Sequence, residues 1–254
     1  MDYNSLESEI HDFLERKIEE SGAEGYVVGV SGGLDSATSL KLAVDAVGKE
    51  NVSAWIMPGK PSREQNMEDA RSLCEELGVS VHEINISSIV EEFRSSTDFD
   101  LEKEAVGNIR ARTRMILEYI DSNNHDKLVI GTGNRSEYLL GYYTKYGDGG
   151  TDVNPLTDLY KTQVQELASK IGVPDKFVEK SPSAELWEGQ TDEKELTESY
   201  ENVDKVLKAL VDEEKSIEQT IKRTDVDAEA VGKIKNLHES TEHKRNLPDY
   251  PRLR

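Results

Sequence analysis

The segment "YVVGVSGGLDSATSL" (Tyr26–Leu40) sets the first structural expectation for this chain. A short apolar run, partly β-branched, ends at Ser31, Gly32, Gly33 and Asp35, as expected of a buried strand. The residues that follow have the apolar spacing of a helix that ends at a glycine: Ala37, Leu40, Val44 and Val47 before Gly48. The segment therefore predicts a strand that meets a helix at a glycine turn.

The same alternation of strand and helix patterns continues along the chain. Three further strand patterns are "VSAWIM", "VSVHEI" and "KLVIGTG", at residues 52–57, 79–84 and 127–133. Helical patterns lie between them, including a long one at about residues 102–120, and another follows at 156–172. Such alternation requires right-handed crossovers. It predicts an α/β fold with a doubly wound parallel sheet of about five strands and helices on both faces.

Beyond Pro174 the strand patterns stop. The stretch "SPSAELWEGQTDEKELTESYENVDK" is polar and acidic, and we expect a mobile loop around residues 184–200. Two helical stripes follow, formed by Val203, Val206, Leu207 and Leu210 and then by Val231, Ile234 and Leu237. We expect a single domain over residues 1–254 with a helical C-terminal part.

Composition limits the classes of partner. The chain has 254 residues and a formal net charge of −20, so its surface repels nucleic-acid phosphates and anionic membranes. Its one cysteine, Cys74, allows neither an internal disulfide nor a cysteine-based metal cage. The first residues lack a secretion signal, and no apolar run reaches the length of a membrane span. A cytoplasmic protein is expected.

The glycine turn has the chemistry of a phosphate site. Gly32 and Gly33 let backbone N–H groups approach an anion closely, and the following helix adds its positive N-terminal end. Ser31 and Ser36 can donate hydrogen bonds, whereas Asp35 would repel phosphate unless a cation lay between them. Mg²⁺ resolves that conflict, because it is commonly held by carboxylates together with phosphate oxygens. The alternative is an ordinary strand–turn–helix corner with a capping Ser or Asp.

The glycine segment resembles the pyrophosphate loop of N-type ATP pyrophosphatases, whose fold is adenine nucleotide alpha hydrolase-like. A later stretch, "GTGNRSEYLLGYYTKYGDGGTDVNPLTDLYKTQV" (131–164), together with this loop resembles the ammonia-dependent NAD synthetase family. "SPSAELWEGQTDE" resembles the family's mobile loop, and "EHKR" resembles its C-terminal substrate contact. One departure is "GNRS" at residues 133–136, where many bacterial members have Asp-His-Ala-Ala.

The resemblance implies a set of ATP and metal contacts. The loop residues that it places on ATP are Gly29, Val30, Ser31, Gly32, Gly33, Leu34, Asp35 and Ser36. Further ATP contacts are implied at Thr132, Lys161 and Ser183. Mg²⁺ is implied between Asp35 and Glu137, and Lys161 can offset charge on the departing pyrophosphate.

The resemblance also implies contacts with deamido-NAD at Arg112, Lys145, Asp152, His243 and Lys244. Asp148 is placed where ammonia meets the activated carboxyl group, so Asp148 and Lys161 are the implied catalytic residues.

The activity implied is that of a ligase, the last step of NAD biosynthesis. ATP would adenylate the carboxylate of deamido-NAD, and ammonia would then displace AMP to give NAD. A homodimer with the dinucleotide at its interface is implied, with the first helix and the helix around Arg112 as candidate contacts. No residues remain for a glutaminase domain, so free ammonia, or ammonia from a separate protein, is the expected donor.

Other readings of these residues stay open at this point. Taken singly, Glu137 could be a helix-start acid, Lys161 and His243 could be surface residues, and Arg112 could be a solvated charge. A GMP synthetase-like or tRNA-modifying pyrophosphatase would share the loop. However, the chain lacks the basic face and extra cysteines of the tRNA enzymes and the dimerisation extension of the GMP enzymes. A nucleotide sensor without catalysis is the remaining alternative.

Overall fold

The fold is built on a four-stranded parallel sheet. A computed structural model describes residues 2–180, 196 and 198–253. The strands, in chain order, are β1 (Gly25–Gly29), β2 (Val52–Ile56), β3 (Ser80–Glu83) and β4 (Lys127–Ile130), and their order in the sheet is β3-β2-β1-β4. All three neighbouring pairs are parallel. The four strand patterns of the sequence are thus confirmed, with β1 at the centre.

The expectation of about five strands was too high by one for the described residues. Val153 lies where a fifth strand would pair with β4, but it forms only one isolated parallel bridge, to Ile130. The Asp152 carboxylate accepts the N–H of Val129 at 2.7 Å, so a side chain takes the place of a backbone partner. The ladder therefore ends after a single bridge.

Helices cover the sheet and extend beyond it. In chain order they are α1 (Tyr3–Ser21), α2 (Leu34–Val47), α3 (Glu64–Leu77), α4 (Ser87–Ser95), α5 (Lys103–Asn124), α6 (Arg135–Leu140), α7 (Lys161–Lys170) and α8 (Asp175–Val178). They continue as α9 (Tyr200–Leu207), extended by a π-helical turn over Lys208–Asp212, then α10 (Ile217–Thr224), α11 (Ala228–Ser240) and α12 (Glu242–Arg245). The α7 helix begins later than predicted, because the buried Leu156 and Leu159 lie in a turn before it.

Side chains on β2 show that both faces of the sheet are covered. Ala54 and Ile56 belong to the main core, which also receives apolar residues of α1, α2, α3 and α7. Trp55 and Met57 point to the other face and pack in a smaller cluster with residues of α4 and α5. This period of two is the one expected of a strand buried on both sides.

The C-terminal helices have a core of their own. Both predicted stripes join it, Val203 and Leu207 from α9 and Val231 and Ile234 from α11, together with residues of α6. Cys74 lies in the main core, and burial raises the pKa of its thiol to about 11, so it is an inert packing residue. None of the described helices combines the length and the apolar character that crossing a bilayer requires.

Candidate active site

The glycine loop lies at the carboxyl end of the central strand and leads directly into α2. Gly32 has φ +79°, and a Cβ at this position would lie 2.0 Å from the backbone oxygen of Asn66. Only glycine fits such a close approach in the left-handed region. Gly33 is the N-cap of α2, and no side chain of the described residues caps this helix. The N–H groups of its first turn are therefore available to an anion.

The two serines of the loop are held against each other. Ser31 Oγ and Ser36 Oγ lie 3.1 Å apart, and Ser36 Oγ donates to the carbonyl of Gly33 at 3.0 Å. Val30 and Leu34 are buried beneath the turn, with 2% and 7% of their surfaces exposed. These apolar residues anchor the two ends of the glycine turn in the core.

Asp35 is the centre of a polar cluster drawn from three parts of the chain. Its carboxylate accepts hydrogen bonds from Lys161 Nζ and, at 3.5 Å, from Asn134 Nδ2. Asn134 is fully buried and also accepts the N–H of Glu137 at 3.0 Å. Asn134 thus contacts both Asp35 and Glu137, the two acids that the family resemblance pairs as metal ligands.

Glu137 lies in the first turn of α6, as expected of a helix-start acid. Its carboxylate accepts the N–H of Asn134 at 3.2 Å, which completes a capping box at the start of α6. Thr132 lies two residues beyond β4, on the way to this cap. The capping role does not compete with a metal, since a carboxylate has two oxygens and several lone pairs.

Lys161 is not a surface lysine. It begins α7 with only 7% of its surface exposed, and its Nζ lies 5.7 Å from the ring centroid of Tyr200. The buried Asp204 supports the helix start, accepting from Thr162 N at 2.9 Å and from the Ser136 hydroxyl. Contacts with α6 and α9 therefore fix the start of α7, which carries the Lys161 ammonium beside Asp35.

A second, basic cluster gathers four of the predicted dinucleotide contacts. Arg112 donates to the carbonyl of Lys145 at 3.2 Å, and Lys145 Nζ donates to the carbonyl of His243. Lys244 Nζ donates to two backbone carbonyls at 2.6 and 2.7 Å. Burial lowers the pKa of Lys244, and the nearby Asp148 opposes that shift. The short helix α12 thus meets the loop after α6.

The two predicted aspartates differ in their surroundings. Asp148 accepts the N–H of Thr144 at 2.9 Å, and the protein atoms crowded around its carboxyl raise its pKa although the residue stays accessible to solvent. Asp152 accepts from the Tyr119 hydroxyl at 3.0 Å and from Val129 N at 2.7 Å. These contacts tie Asp152 to α5 and β4. Ser183 lies outside the described residues.

Three residues at the site escaped sequence reasoning. Asn134 joins Asp35 to Glu137, Lys180 donates to the Gly32 carbonyl at 2.7 Å, and Glu118 approaches Gly29. Only Asn134 carried a signal, because Asn134 and Glu137 have the spacing of a capping box. The contacts of Lys180 and Glu118 join distant parts of the chain and follow no local pattern.

Glu118 brings an acid to the end of β1. A Cβ on Gly29 would lie 2.1 Å from Glu118 Oε1, so the carboxyl group packs directly against this glycine. Burial raises the pKa of Glu118 to about 8; Arg114 opposes this shift and Asp148 adds to it. The carboxyl group is therefore largely protonated at neutral pH.

This raised pKa predicts a pH-dependent effect of Glu118→Gln on stability. The folded pKa of about 8 lies above the ordinary 4.5, so the wild type loses stability as pH rises through that window. Glutamine avoids the loss. We expect Glu118→Gln to gain about 1–2 kcal/mol in free energy of unfolding between about pH 5 and pH 9, relative to wild type. Denaturant titrations would measure this gain.

The exposed Glu104 on the same helix provides the matched control, and Glu104→Gln should show no such trend. If the free energy of unfolding changed with pH in the same way for wild type and Glu118→Gln, the raised pKa of Glu118 would be contradicted.

Comparison with known proteins places the chain in one family. The NAD synthase family profile matches residues 6–248. The chain is 47% identical to the NH(3)-dependent NAD(+) synthetase of Thermococcus kodakarensis, over 99% of this chain and 98% of that protein. Among solved structures, it resembles the NMN synthetase of Francisella tularensis (35% identity, TM-score 0.89, 100% of both chains). It also resembles the NH3-dependent NAD synthetase of Campylobacter jejuni (33% identity, TM-score 0.84, 99% of both chains).

These matches cover nearly the whole chain and set aside the GMP synthetase-like and tRNA-modifying alternatives. The chain belongs to the NAD synthase family.

Proposed function

We propose that this chain amidates deamido-NAD with ammonia, at the expense of ATP, to give NAD, AMP and pyrophosphate. The observation that carries the proposal is the meeting of Asp35, Asn134, Glu137 and Lys161 at the glycine loop. The site combines anion-binding N–H groups, two carboxylates and the buried ammonium of Lys161. The N–H groups and the ammonium suit the phosphates of a triphosphate, and the carboxylates suit its Mg²⁺. The family and its curated ammonia-dependent relatives support the choice of substrates.

The acids at the loop suit Mg²⁺ by their chemistry. Asp35 and Glu137 offer the hard carboxylate oxygens that Mg²⁺ prefers, and Asp35 already pairs with a cation, Lys161. When bound, Mg²⁺ would neutralise the triphosphate and help pyrophosphate to leave. Lys161 would then turn from Asp35 toward the phosphates, where its charge stabilises the leaving group.

The reaction has two displacement steps. A carboxylate oxygen of deamido-NAD attacks the α-phosphorus of ATP; a new O–P bond forms, and the bond to the β-phosphate oxygen breaks. The nitrogen of ammonia then attacks the carbonyl carbon of this NAD-adenylate, and the C–O bond to AMP breaks as the nitrogen loses a proton. Arg112, Lys145, His243 and Lys244 would hold the dinucleotide, since together they form a basic surface.

Asp148 would serve the second step. Its carboxylate accepts the N–H of Thr144, and its charge influences the pKa values of the nearby Lys244 and Glu118. An accessible acid at this place can attract ammonium and orient ammonia toward the activated carbonyl. We propose that residues 1–254 form one synthetase domain, and the likeness to an NH(3)-dependent NAD(+) synthetase supports ammonia as its nitrogen donor.

A smaller nucleotide is the second candidate substrate. The likeness to an NMN synthetase over the full length of both chains favours nicotinate mononucleotide as an alternative to deamido-NAD. Both substrates present the same nicotinate carboxylate, so the reaction is unchanged. They differ in the adenylate half, which deamido-NAD alone would place against the basic cluster.

Product analysis with both nucleotides tests the proposal. The protein is incubated with ATP, Mg²⁺ and ammonium, together with either deamido-NAD or nicotinate mononucleotide. We expect NAD and AMP in equal amounts, with kcat/KM for deamido-NAD at least about tenfold above that for the mononucleotide. The reverse preference would favour NMN synthesis. Binding of ATP without turnover of either nucleotide would favour the sensor.

We propose a homodimer that uses the outer face of α5. Arg112, Ile116 and Ile120 follow one another at intervals of four residues, and the isoleucines are 45% and 57% exposed. Exposed apolar stripes of this kind are typical of interaction surfaces. The other candidate, α1, instead directs Ile10 and Leu14 into the main core. The α5 face carries Arg112, so the dimer would lie beside the proposed dinucleotide site.

Ile116→Glu is expected to convert the dimer to a monomer, because it places a charge in the apolar contact. Sedimentation velocity should show the change at micromolar protein. Ile217→Glu, at an exposed isoleucine on α10, is the matched control and should stay dimeric. A wild-type protein that sediments as a monomer would refute the proposed interface.

A further inference from the structure

Lys180 is a lysine with three hydrogen-bond partners beside the glycine loop. Its Nζ donates to the Gly32 carbonyl at 2.7 Å, to Asn66 Oδ1 at 2.9 Å and to Asp69 Oδ2 at 2.6 Å. Three acceptors match the three donors of an ammonium group. The lysine therefore ties the loop to α3.

The bond to Gly32 fixes one peptide plane. The described part of the chain has no cis peptide, so the Gly32 carbonyl and the Gly33 N–H point in opposite directions. Lys180 holds the carbonyl on the α3 side, and the N–H points toward Ser31 Oγ at 3.3 Å. That N–H belongs to the N-cap residue of α2, the helix end that favours an anion.

This peptide would otherwise rotate at little cost. It lies between two glycines, which have no Cβ to restrict their dihedral angles. A rotated peptide would turn the carbonyl oxygen of Gly32 toward the phosphates, where its partial negative charge repels them. The anion site thus depends on holding this carbonyl behind the loop.

Lys180 is itself held in place. Asp69 has only 6% of its surface exposed. Burial alone would raise the pKa of the Asp69 carboxyl, yet Lys180 and Lys176 hold it below its ordinary value. Lys176 reaches the other oxygen of Asp69 at 3.4 Å. The two lysines share an acid, but Lys180 also bonds the glycine loop.

We propose that Lys180 is a positioning residue for the polyphosphate of ATP: it fixes the Gly32–Gly33 peptide in the orientation that binds the anion. The inference rests on the proposed function, because it takes the glycine loop as the ATP site. It adds a residue that acts through the backbone of the loop and does not require contact with ATP.

Binding measurements on a matched pair of variants test this role. Lys180→Met removes the bond to Gly32 together with those to Asn66 and Asp69, whereas Lys176→Met removes a charge on Asp69 and leaves the bond to Gly32 in place. Calorimetry with Mg-ATP, and separately with adenosine, needs no turnover. For Lys180→Met we expect the Kd for ATP to rise roughly tenfold or more while adenosine binds as before. Lys176→Met should stay within about twofold of wild type for both ligands.

Each alternative result has a definite meaning. Unchanged ATP affinity in Lys180→Met would overturn the inference alone, and so would an equal loss in Lys176→Met. A parallel loss of ATP and adenosine affinity would indicate general disruption and overturn it as well. A wild-type protein that binds no ATP would overturn the proposed function, and the inference with it.

Discussion

Asp35→Asn is expected to lower the kcat for NAD formation roughly a thousandfold or more while leaving the protein folded. Asparagine keeps the shape of the side chain but removes the charge that would face Mg²⁺ and that now faces Lys161. Without the Asp35 carboxylate the site would hold Mg²⁺ less firmly, and charge on the departing pyrophosphate would be less well neutralised. Steady-state NAD formation at saturating ATP would measure the loss.

A control substitution on α2 separates the loss of the Asp35 carboxylate from the loss of one negative charge elsewhere on the protein. Asp45 pairs with Lys41 at the surface of α2, so Asp45→Asn makes the same chemical change away from the loop. It should retain wild-type activity within about twofold. Wild-type activity in Asp35→Asn, with circular dichroism showing a native fold, would remove Asp35 from the proposed mechanism.

Lys161→Met is expected to lower kcat roughly a hundredfold to a thousandfold. The variant keeps an unbranched apolar side chain but loses the ammonium, which lies over the Tyr200 ring and would stabilise the leaving pyrophosphate. Isotope exchange between pyrophosphate and ATP reports on adenylation alone and should fall in parallel with NAD formation. Lys170→Met, at an exposed lysine of the same helix, should behave as wild type.

The two substitutions together give a stability test that activity alone cannot give. Asp35 and Lys161 are both largely buried, so each single variant leaves a desolvated partner without its counter-charge. The double variant Asp35→Asn, Lys161→Met should therefore recover roughly 1 kcal/mol or more of the free energy of unfolding relative to the sum of the single effects. It should remain inactive. Additive losses of stability would show that the pair does not interact in solution.

Local patterns in the sequence were enough to predict the frame of this fold. Branched apolar runs indicated all four strands, and Gly48 and Gly78 marked helix ends that the structure contains. The glycine turn was predicted correctly because backbone geometry at Gly32 depends on the residue type itself. What failed was the strand count, because the Asp152 side chain replaced a backbone partner of β4.

The site was less accessible to sequence reasoning, because its contacts are distant in the chain. Asn134 meets Asp35 across 99 positions, and Lys180 meets Gly32 across 148. No periodicity reports such a pairing, since it is produced only when strands and helices assemble. The family resemblance pointed to Lys161 and Glu137 as site residues, but it gave no reason to expect Lys180 or Glu118.

The most direct test of the account follows an oxygen atom. Deamido-NAD labelled with ¹⁸O in its nicotinate carboxylate is converted by the wild-type protein with ATP, Mg²⁺ and ammonium, and the products are analysed by mass spectrometry. If the carboxylate attacks the α-phosphorus, one labelled oxygen appears in the phosphate of each AMP, and one remains in the amide of NAD. Label in inorganic phosphate, or AMP formed without label, would contradict adenylation of the substrate at this glycine loop.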